Sequence, residues 1–292
     1  MVRQAKKEVL AQLFQRYRAC AQGNDAALYE IAMSELPEMV YHSNAIENST
    51  LTLHETEAII MRDMITKDHE IREVFEAKNL AYVMTQLLNK PPEKLTTELL
   101  LSLHALLMAG IRHDIAGRFR SGKQWVRVGS HVGANPAFVP GLIAELLREY
   151  DQCDDEYFLD AIARFHAEFE LIHPFLDGNG RIGRVIINQQ LMQKGYPPII
   201  IQSKHKHRDY YPLFDVYERT NRCDGFADLF ALLLQESLHK RIALLSSRRV
   251  ITVAQWAKRH GIAGNAAANK AARQTIPAFR MRGVWMIGDD AA

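Results

Sequence analysis

Apolar residues recur along this chain at three- and four-residue steps far more often than in alternation, which predicts a mainly helical protein. Leu10, Leu13, Phe14 and Tyr17 stripe a predicted helix over residues 3–33, with a break near Gly23-Asn24-Asp25. A second helix is predicted from Ser34, with Pro37 tolerated in its first turn, through Met39, Val40 and Tyr41 to Asn48. Thr52-Leu53-His54-Glu55 has the capping-box pattern of a helix start. Ile71, Val74, Phe75 and Tyr82 mark a helix over 70–89 that Pro91-Pro92 ends, and Thr96 or Thr97 caps a leucine-rich helix to Met108.

Between Gly117 and Pro140 the pattern changes. Glycines and prolines punctuate it, Gly129 among them, and Trp125-Val126-Arg127-Val128 reads as a strand that pairs with Phe138-Val139 in a small hairpin. Helices follow at 141–150 and 157–172, the second carrying Ile162, Phe165, Phe169 and Ile172. After a glycine loop the helical pattern resumes with Ile182, Val185, Ile186 and Leu191. Ile199-Ile200-Ile201 is a buried segment, a helix begins within Lys204–Tyr211, Asn221–Gly225 is a turn, and 226–245 is strongly helical. The tail predicts two short helices, Val253–His260 and Ala266–Arg273, then two strands within Phe279–Ile287, a layout resembling a small winged helix-turn-helix.

Composition changes this picture little. With 48% hydrophobic and 24% charged residues in 292, the chain has the balance of an ordinary globular protein with more than one unit. No apolar run is long enough to span a membrane, and the N-terminal residues form an amphipathic pattern with no apolar signal core. Cys20, Cys153 and Cys223 lie far apart, which excludes a C-x-x-C metal or redox motif and suits a reducing compartment. The expectation is a cytoplasmic protein. Charge distribution is more informative than its sum of +2: from Arg248 to Arg282 there are eight cations and no carboxylate, so the rest of the chain is net acidic.

The chemistry concentrates in His173-Pro174-Phe175-Leu176-Asp177-Gly178-Asn179-Gly180-Arg181-Ile182-Gly183-Arg184. A glycine loop feeding a helix start directs backbone N–H groups at one point, a geometry that suits an anion. Arg181 and Arg184, three apart, share a face and suit phosphate oxygens. Asp177 suits Mg²⁺, which takes one or two carboxylates beside substrate phosphates, and it equally suits a helix N-cap. His173 can accept a proton near neutral pH. His54, His69, His104, His113 and His239, lacking such neighbours, read as surface or core residues.

With every defining position present, this run resembles the signature of the Fic (Fic/Doc) family, and the likeness extends over about residues 40–245. The resemblance implies a Fic-fold helical core with a small β-hairpin flap, here about 117–140, and transfer of AMP from ATP to a Ser, Thr or Tyr hydroxyl of a target protein with release of pyrophosphate. It implies His173 as general base, Asp177 as the Mg²⁺ ligand, Phe175 as a core anchor, Gly178, Asn179, Gly180 and Arg181 as the phosphate cradle, and Arg184 as the arginine that orients the γ-phosphate. Tyr210, Tyr211 and Asn221 are weaker candidates for the nucleoside pocket, with ordinary packing as the competing reading. The flap suits β-augmentation of an extended target segment, and it equally suits a plain hairpin.

Ser43-Asn44-Ala45-Ile46-Glu47-Asn48 resembles the family's inhibitory motif. It implies the subclass whose inhibitory helix, here about 34–48, precedes the core. Ser43 and Glu47 share a helix face, and Glu47 would pair with Arg184 where the γ-phosphate belongs. In some relatives the same glutamate supports removal of AMP, which this sequence permits without requiring.

The organisation expected is therefore an N-terminal helical region, 1–94, a catalytic core, 95–245, and a winged-helix-like module, 248–292, that docks DNA or a protein. A homodimer is open. The main reading is an autoinhibited protein adenylyltransferase; the alternatives are a DNA-binding regulator with a nucleotide-sensing core, or transfer of UMP or phosphocholine.

Overall fold

The computed structural model describes residues 1–89, 93–128, 131–153 and 155–290. Its helices are α1 (Gln4–Ala21), α2 (Asp25–Ile46), α3 (Leu53–Arg62), α4 (Ile71–Asn89), α5 (Thr97–Leu107), α6 (Val139–Asp151), α7 (Phe158–Ile172), α8 (Asn179–Gln193), α9 (Tyr211–Thr220), α10 (Asp224–Ser246), α11 (Val253–Arg259) and α12 (Gly264–Ala272). The strands are β1 (Arg127–Val128), β2 (His131–Val132), β3 (Val250–Thr252), β4 (Ala278–Met281) and β5 (Val284–Gly288). The protein is mainly α, as its periodicity predicts.

Two compact units divide the chain. The first comprises Met1, Glu35–Gly195 and Ile200–Ala227; the second comprises Val2–Ser34, Tyr196–Ile199 and Asp228–Ala292.

In the first unit α8 is the central helix, with Ile182, Val185, Ile186 and Leu191 all at or near zero exposure. Ile162, Phe165, Phe169 and Ile172 of α7 and Leu100, Leu103 and Leu107 of α5 are buried in the same core. Each buried leucine or phenylalanine contributes ~2 kcal/mol by apolar transfer. Helix α3 starts with the complete capping box: Thr52 Oγ1 accepts from Glu55 N at 3.3 Å while Thr52 N donates to Glu55 Oε2 at 2.8 Å.

The second unit has its own core. Phe14 of α1 stacks on Tyr196 with ring centroids 4.0 Å apart. Its C-terminal part runs strand, helix, helix, hairpin, with strand order β3-β5-β4, both pairs antiparallel. Ile251, Trp256, Ala267, Ala271, Ala278 and Ile287 fill the space between sheet and helices.

Three local expectations differ from what forms. The helix predicted to start at Ser34 is the second half of α2, which runs unbroken from Asp25 through Pro37. Burial of Leu36, Met39 and Val40 around the proline outweighs one missing hydrogen bond. Phe138-Val139 does not pair as a strand; Phe138 is the N-cap of α6 and Pro140 occupies the first turn, where its lost N–H costs nothing. The partner of β1 is instead β2, in the register Arg127↔Val132 and Val128↔His131. Gly129, between them, and Pro91-Pro92 lie outside the described residues. The helix expected to begin within Lys204–Tyr211 does so: a 3-10 turn, Ser203–His205, and a π turn, Lys206–Tyr210, lead directly into α9 at Tyr211, with Pro212 in its first turn. Finally β3, which the pattern did not single out, adds a third strand to the predicted pair.

Candidate active site

The loop between α7 and α8 is held open by backbone geometry that few residues accept. His173 ends α7 in the left-handed region at φ 52°, and Gly178 starts α8 at φ 81°. Arg120, buried to 1% exposure, ties this turn down: Nε donates to His173 O at 2.6 Å and Nη2 to Ile172 O at 2.9 Å. Its Nη2 also reaches Ala134 O, and its backbone N donates to Pro174 O at 2.9 Å. Phe175 is fully buried with its ring stacked on His104, centroids 3.8 Å apart. His104 binds Asp177 O through Nε2 at 3.0 Å and accepts from Gly117 N through Nδ1 at 3.1 Å. It is a packing residue, but one that shapes the loop. Asn179 clasps the loop from inside, accepting from Phe175 N at 2.8 Å and donating to Phe175 O at 2.9 Å.

These supports leave the start of α8 without a side-chain cap, so its first N–H groups remain available to an anion. They face a cavity of about 660 Å³. His173, Asp177, Gly178, Asn179, Gly180, Arg184, Tyr210, Tyr211 and Glu47 all line it, and Arg181 and Asn221 do not. Asn221 instead caps the C-terminus of α9, exposed, at φ 54°. Ser43 joins the site indirectly, through Arg184.

His173 Nδ1 lies 3.1 Å from Glu170 O, and a carbonyl only accepts, so the proton sits on Nδ1 and Nε2 carries the lone pair. Burial lowers its pKa to about 4, which keeps the imidazole neutral at physiological pH. For Asp177, burial works upward, but the charge of Arg181 and the hydrogen bond and charge of Arg72 outweigh it and hold the carboxyl below the ordinary range. Arg181 bridges Asp177 Oδ1 at 3.0 Å and Glu76 Oε1 at 2.9 Å, and Arg72 bridges the same two carboxylates.

Arg184 is buried and fully engaged. Its Nε donates to Ser43 Oγ at 2.9 Å and its Nη2 donates to Ser43 O at 2.9 Å and to Glu47 Oε1 at 2.7 Å. Burial alone would lower the guanidinium pKa; the Glu47 charge and hydrogen bond raise it above its ordinary value. Glu47 answers in kind, its carboxyl held low by Arg184 against the cost of burial. Gly180 makes room for this pair, since a Cβ there would stand 2.2 Å from Glu47 Oε1. Just after Ser43, the end of α2 is fastened by Lys206 and by Tyr211, the latter a lining residue of the same cavity. Lys206 Nζ donates to Ala45 O at 2.9 Å, Ile46 O at 2.8 Å and Asn48 Oδ1 at 2.7 Å, and Tyr211 Oη donates to Ile46 O at 2.5 Å.

Besides Arg72, Glu76 and Lys206, the sequence reading missed Arg120, His131 and Glu170. His131 on β2 sits 2.8 Å from Leu171 O and 2.8 Å from Glu218 Oε1, so the hairpin is pinned beside the loop. Glu170, one turn before His173, has only 10% side-chain exposure and no hydrogen-bond partner for Oε1 among the described residues. Burial, then the nearby Glu47 charge, pushes its pKa up to about 8. Gly183 leaves space for it, since a Cβ there would stand 2.3 Å from Glu170 Oε1. The folded form thus keeps a proton that the unfolded chain releases near 4.5, so this group's stabilising contribution is full below that pH and falls as pH rises toward 8. Glu170→Gln should flatten the decline of melting temperature between about pH 5 and pH 8. An unchanged slope would remove the buried acid from the account.

A helical core thus brings the start of α8, Arg184 and a neutral histidine to one cavity, an arrangement suited to a phosphate group. Residues 94–191 match the model of the Fic/DOC family. The chain is 31% identical over 196 residues to "Protein adenylyltransferase Fic" of Culex quinquefasciatus, covering 64% of this chain and 38% of that protein. It is 35% identical over 179 residues to the Nematostella vectensis protein of the same name, covering 59% and 41%. It thus spans well under half the length of these curated relatives. Among solved structures, a Fic family protein from Desulfovibrio desulfuricans G20 superposes with a TM-score of 0.69 at 22% identity, covering 100% of this chain and 98% of that one, and supports the fold alone. A fragment of Caenorhabditis elegans Fic-1 gives a TM-score of 0.67 at 25% identity, covering 82% and 71%. Residues 94–191 of this chain thus form a domain of the Fic/DOC family.

Proposed function

We propose that the protein is an autoinhibited adenylyltransferase that moves AMP from ATP to a Ser, Thr or Tyr hydroxyl of a target protein and releases pyrophosphate. The observation that carries this reading is the grip of Ser43 and Glu47 on Arg184, from 141 and 137 residues away, inside the cavity that holds His173. In the active state Arg184 binds the γ-phosphate, while Gly178, Asn179 and Gly180 present the helix start to the remaining phosphates. His173 Nε2 takes the proton of the attacking hydroxyl, the hydroxyl oxygen bonds to the α-phosphorus, and the bond to the β-phosphate bridging oxygen breaks. The names of the curated relatives support this reaction class.

Asp177 suits Mg²⁺ by its chemistry: it is ionised, at the cavity, and one carboxylate with phosphate oxygens is the usual donor set. The ion would supply charge neutralisation of the triphosphate. Its binding competes with Arg72 and Arg181 for that carboxylate. Tyr210 and Tyr211 form the cavity wall suited to a nucleoside, with Tyr210 Oη 2.7 Å from His166 Nε2. The β1–β2 hairpin, with Val128 49% exposed, suits an extended target segment. The test is a mass shift of one AMP on the protein, or on a target in its native lysate, after incubation with ATP; absence of any adduct even from Glu47→Gly would overturn the reading. Adducts from UTP or a choline-bearing donor in preference to ATP would redirect it.

The regions 1–94, 95–245 and 248–292 are read as inhibitory, catalytic and docking parts. For the last, a second reading is supported by its strand–helix–helix–hairpin order and by the eight cations from Arg248 to Arg282: it docks DNA.

A further inference from the structure

The geometry of α12 points to a specific form of that second reading, on which this inference rests: we propose that α12 enters the major groove of duplex DNA and reads an adenine through Asn269.

Helix α12 buries one face only. Ala267 and Ala271, four apart, have zero exposure and pack into the core with Trp256 and Ile276. The opposite face is wholly exposed and carries Asn265, Asn269 and Arg273 at successive four-residue steps, one ridge along the helix. Asn269 sits at its centre, directly opposite the buried alanines. Its side chain makes no hydrogen bond among the described residues, whereas Asn265 Oδ1 is turned back to accept from Ala266 N at 2.8 Å. Ala266, Ala268 and Ala272 flank the ridge with exposed methyl groups and no bulk.

This is a surface shaped for a groove. An asparagine amide pairs bidentately with adenine N6 and N7, and small methyl-bearing side chains meet the thymine C5-methyl. The alanines let the helix backbone approach the bases closely. Lys258 and Arg259 at the end of α11, with Lys270 on α12 and Arg273 at its C-cap, form no ion pair among the described residues and remain available to phosphates. By contrast Arg280 is spent on Glu236, with Nη2 2.6 Å from Oε2, and Arg249 pairs with Asp289 at 3.3 Å. Ala263 and Gly264 start α12 after Gly261, at φ 64°, which gives the tight turn between helices that such docking uses. The A-form major groove of RNA is too deep and narrow for a helix, so the surface fits DNA.

The test uses the full chain and fluorescence anisotropy with short duplexes. The expected result is micromolar or tighter binding that weakens with salt, favouring an A·T-bearing duplex over an all-G·C one by about tenfold. Replacing adenine by 7-deazaadenine, which removes the N7 acceptor, should abolish the preference. Asn269→Ala should do the same while leaving salt-dependent binding to both duplexes intact. The double variant Lys270→Ala, Arg273→Ala should weaken both alike. All three sites are exposed, and an unchanged melting temperature checks that the fold persists. Binding with no A·T preference, or a preference that survives Asn269→Ala or persists on duplex RNA, overturns the adenine readout and leaves the DNA reading standing. No binding to any duplex at low salt overturns both.

Discussion

Replacing Glu47 with glycine should raise AMP transfer about tenfold or more. The carboxylate makes one charge-assisted hydrogen bond, 2.7 Å to Arg184 Nη2. Bonds of that kind contribute about 1.5–3 kcal/mol, or roughly 10- to 150-fold in an equilibrium. Glu47 is 39% exposed, so solvent screening argues for the lower part of that range. A second effect adds to it. An anion at this place repels an incoming triphosphate, and its removal leaves Arg184 with an unpaired charge in a buried setting, which favours any new anion. Ser43 keeps its two bonds to Arg184, so the guanidinium stays oriented. Glu47 lies just past the end of α2 and contributes nothing to the apolar core, so the variant should fold as the parent does. Rates of labelled AMP incorporation for parent and variant, at subsaturating ATP, read this directly.

Removing the base should have the larger effect. In the Glu47→Gly background, His173→Ala is expected to lower transfer by about 10²- to 10⁴-fold, the usual worth of a positioned general base. Nucleotide binding should change little, because the imidazole offers no charge at neutral pH. With the pKa lowered to about 4 by burial, the base form is present throughout pH 5 to 8 and is lost only as pH falls toward 4. Transfer should therefore show no ascending limb near the ordinary histidine value. His173 occupies the left-handed region at φ 52°, where alanine is strained by roughly 1 kcal/mol. Asparagine accepts that conformation better. His173→Asn should thus match the catalytic loss with a smaller fall in melting temperature, separating chemistry from folding.

Much of the site was legible because it is contiguous. Twelve residues from His173 to Arg184 carry the base, the cradle, the acid and both arginines, and periodicity on either side placed them between two helices. The partnership of Arg184 with Ser43 and Glu47 spans more than a hundred residues, and only the family resemblance made it readable; spacing alone offers no sign of it. Arg120 shows the limit. Its place in Gly117-Arg118-Phe119-Arg120 gives no hint that it is buried against several backbone carbonyls while Arg118 is not. Glu170 was likewise silent, because its raised pKa comes from the walls around it and from the gap left by Gly183.

The errors have a common cause. Pro37 reads as a first-turn residue of a helix from Ser34 and Pro140 as punctuation of the hairpin region, yet packing carries α2 straight through the first and the second opens α6 beside the expected strand. Two-residue strands such as β1 and β2 carry too few positions for alternation to identify a partner. Phe138 is 65% exposed while Val139 is fully buried in α6, so their hydrophobicity reflects the start of a helix and no strand pairing.

The central claim is that Arg184 holds either Glu47 or the γ-phosphate. Calorimetric titration of ATP and of AMP, in the presence of Mg²⁺, into the parent and Glu47→Gly proteins tests it most directly. The account predicts that the substitution tightens ATP binding by about tenfold or more and leaves AMP, which has no γ-phosphate, nearly unchanged. Equal tightening of both nucleotides, or none of either, would contradict it.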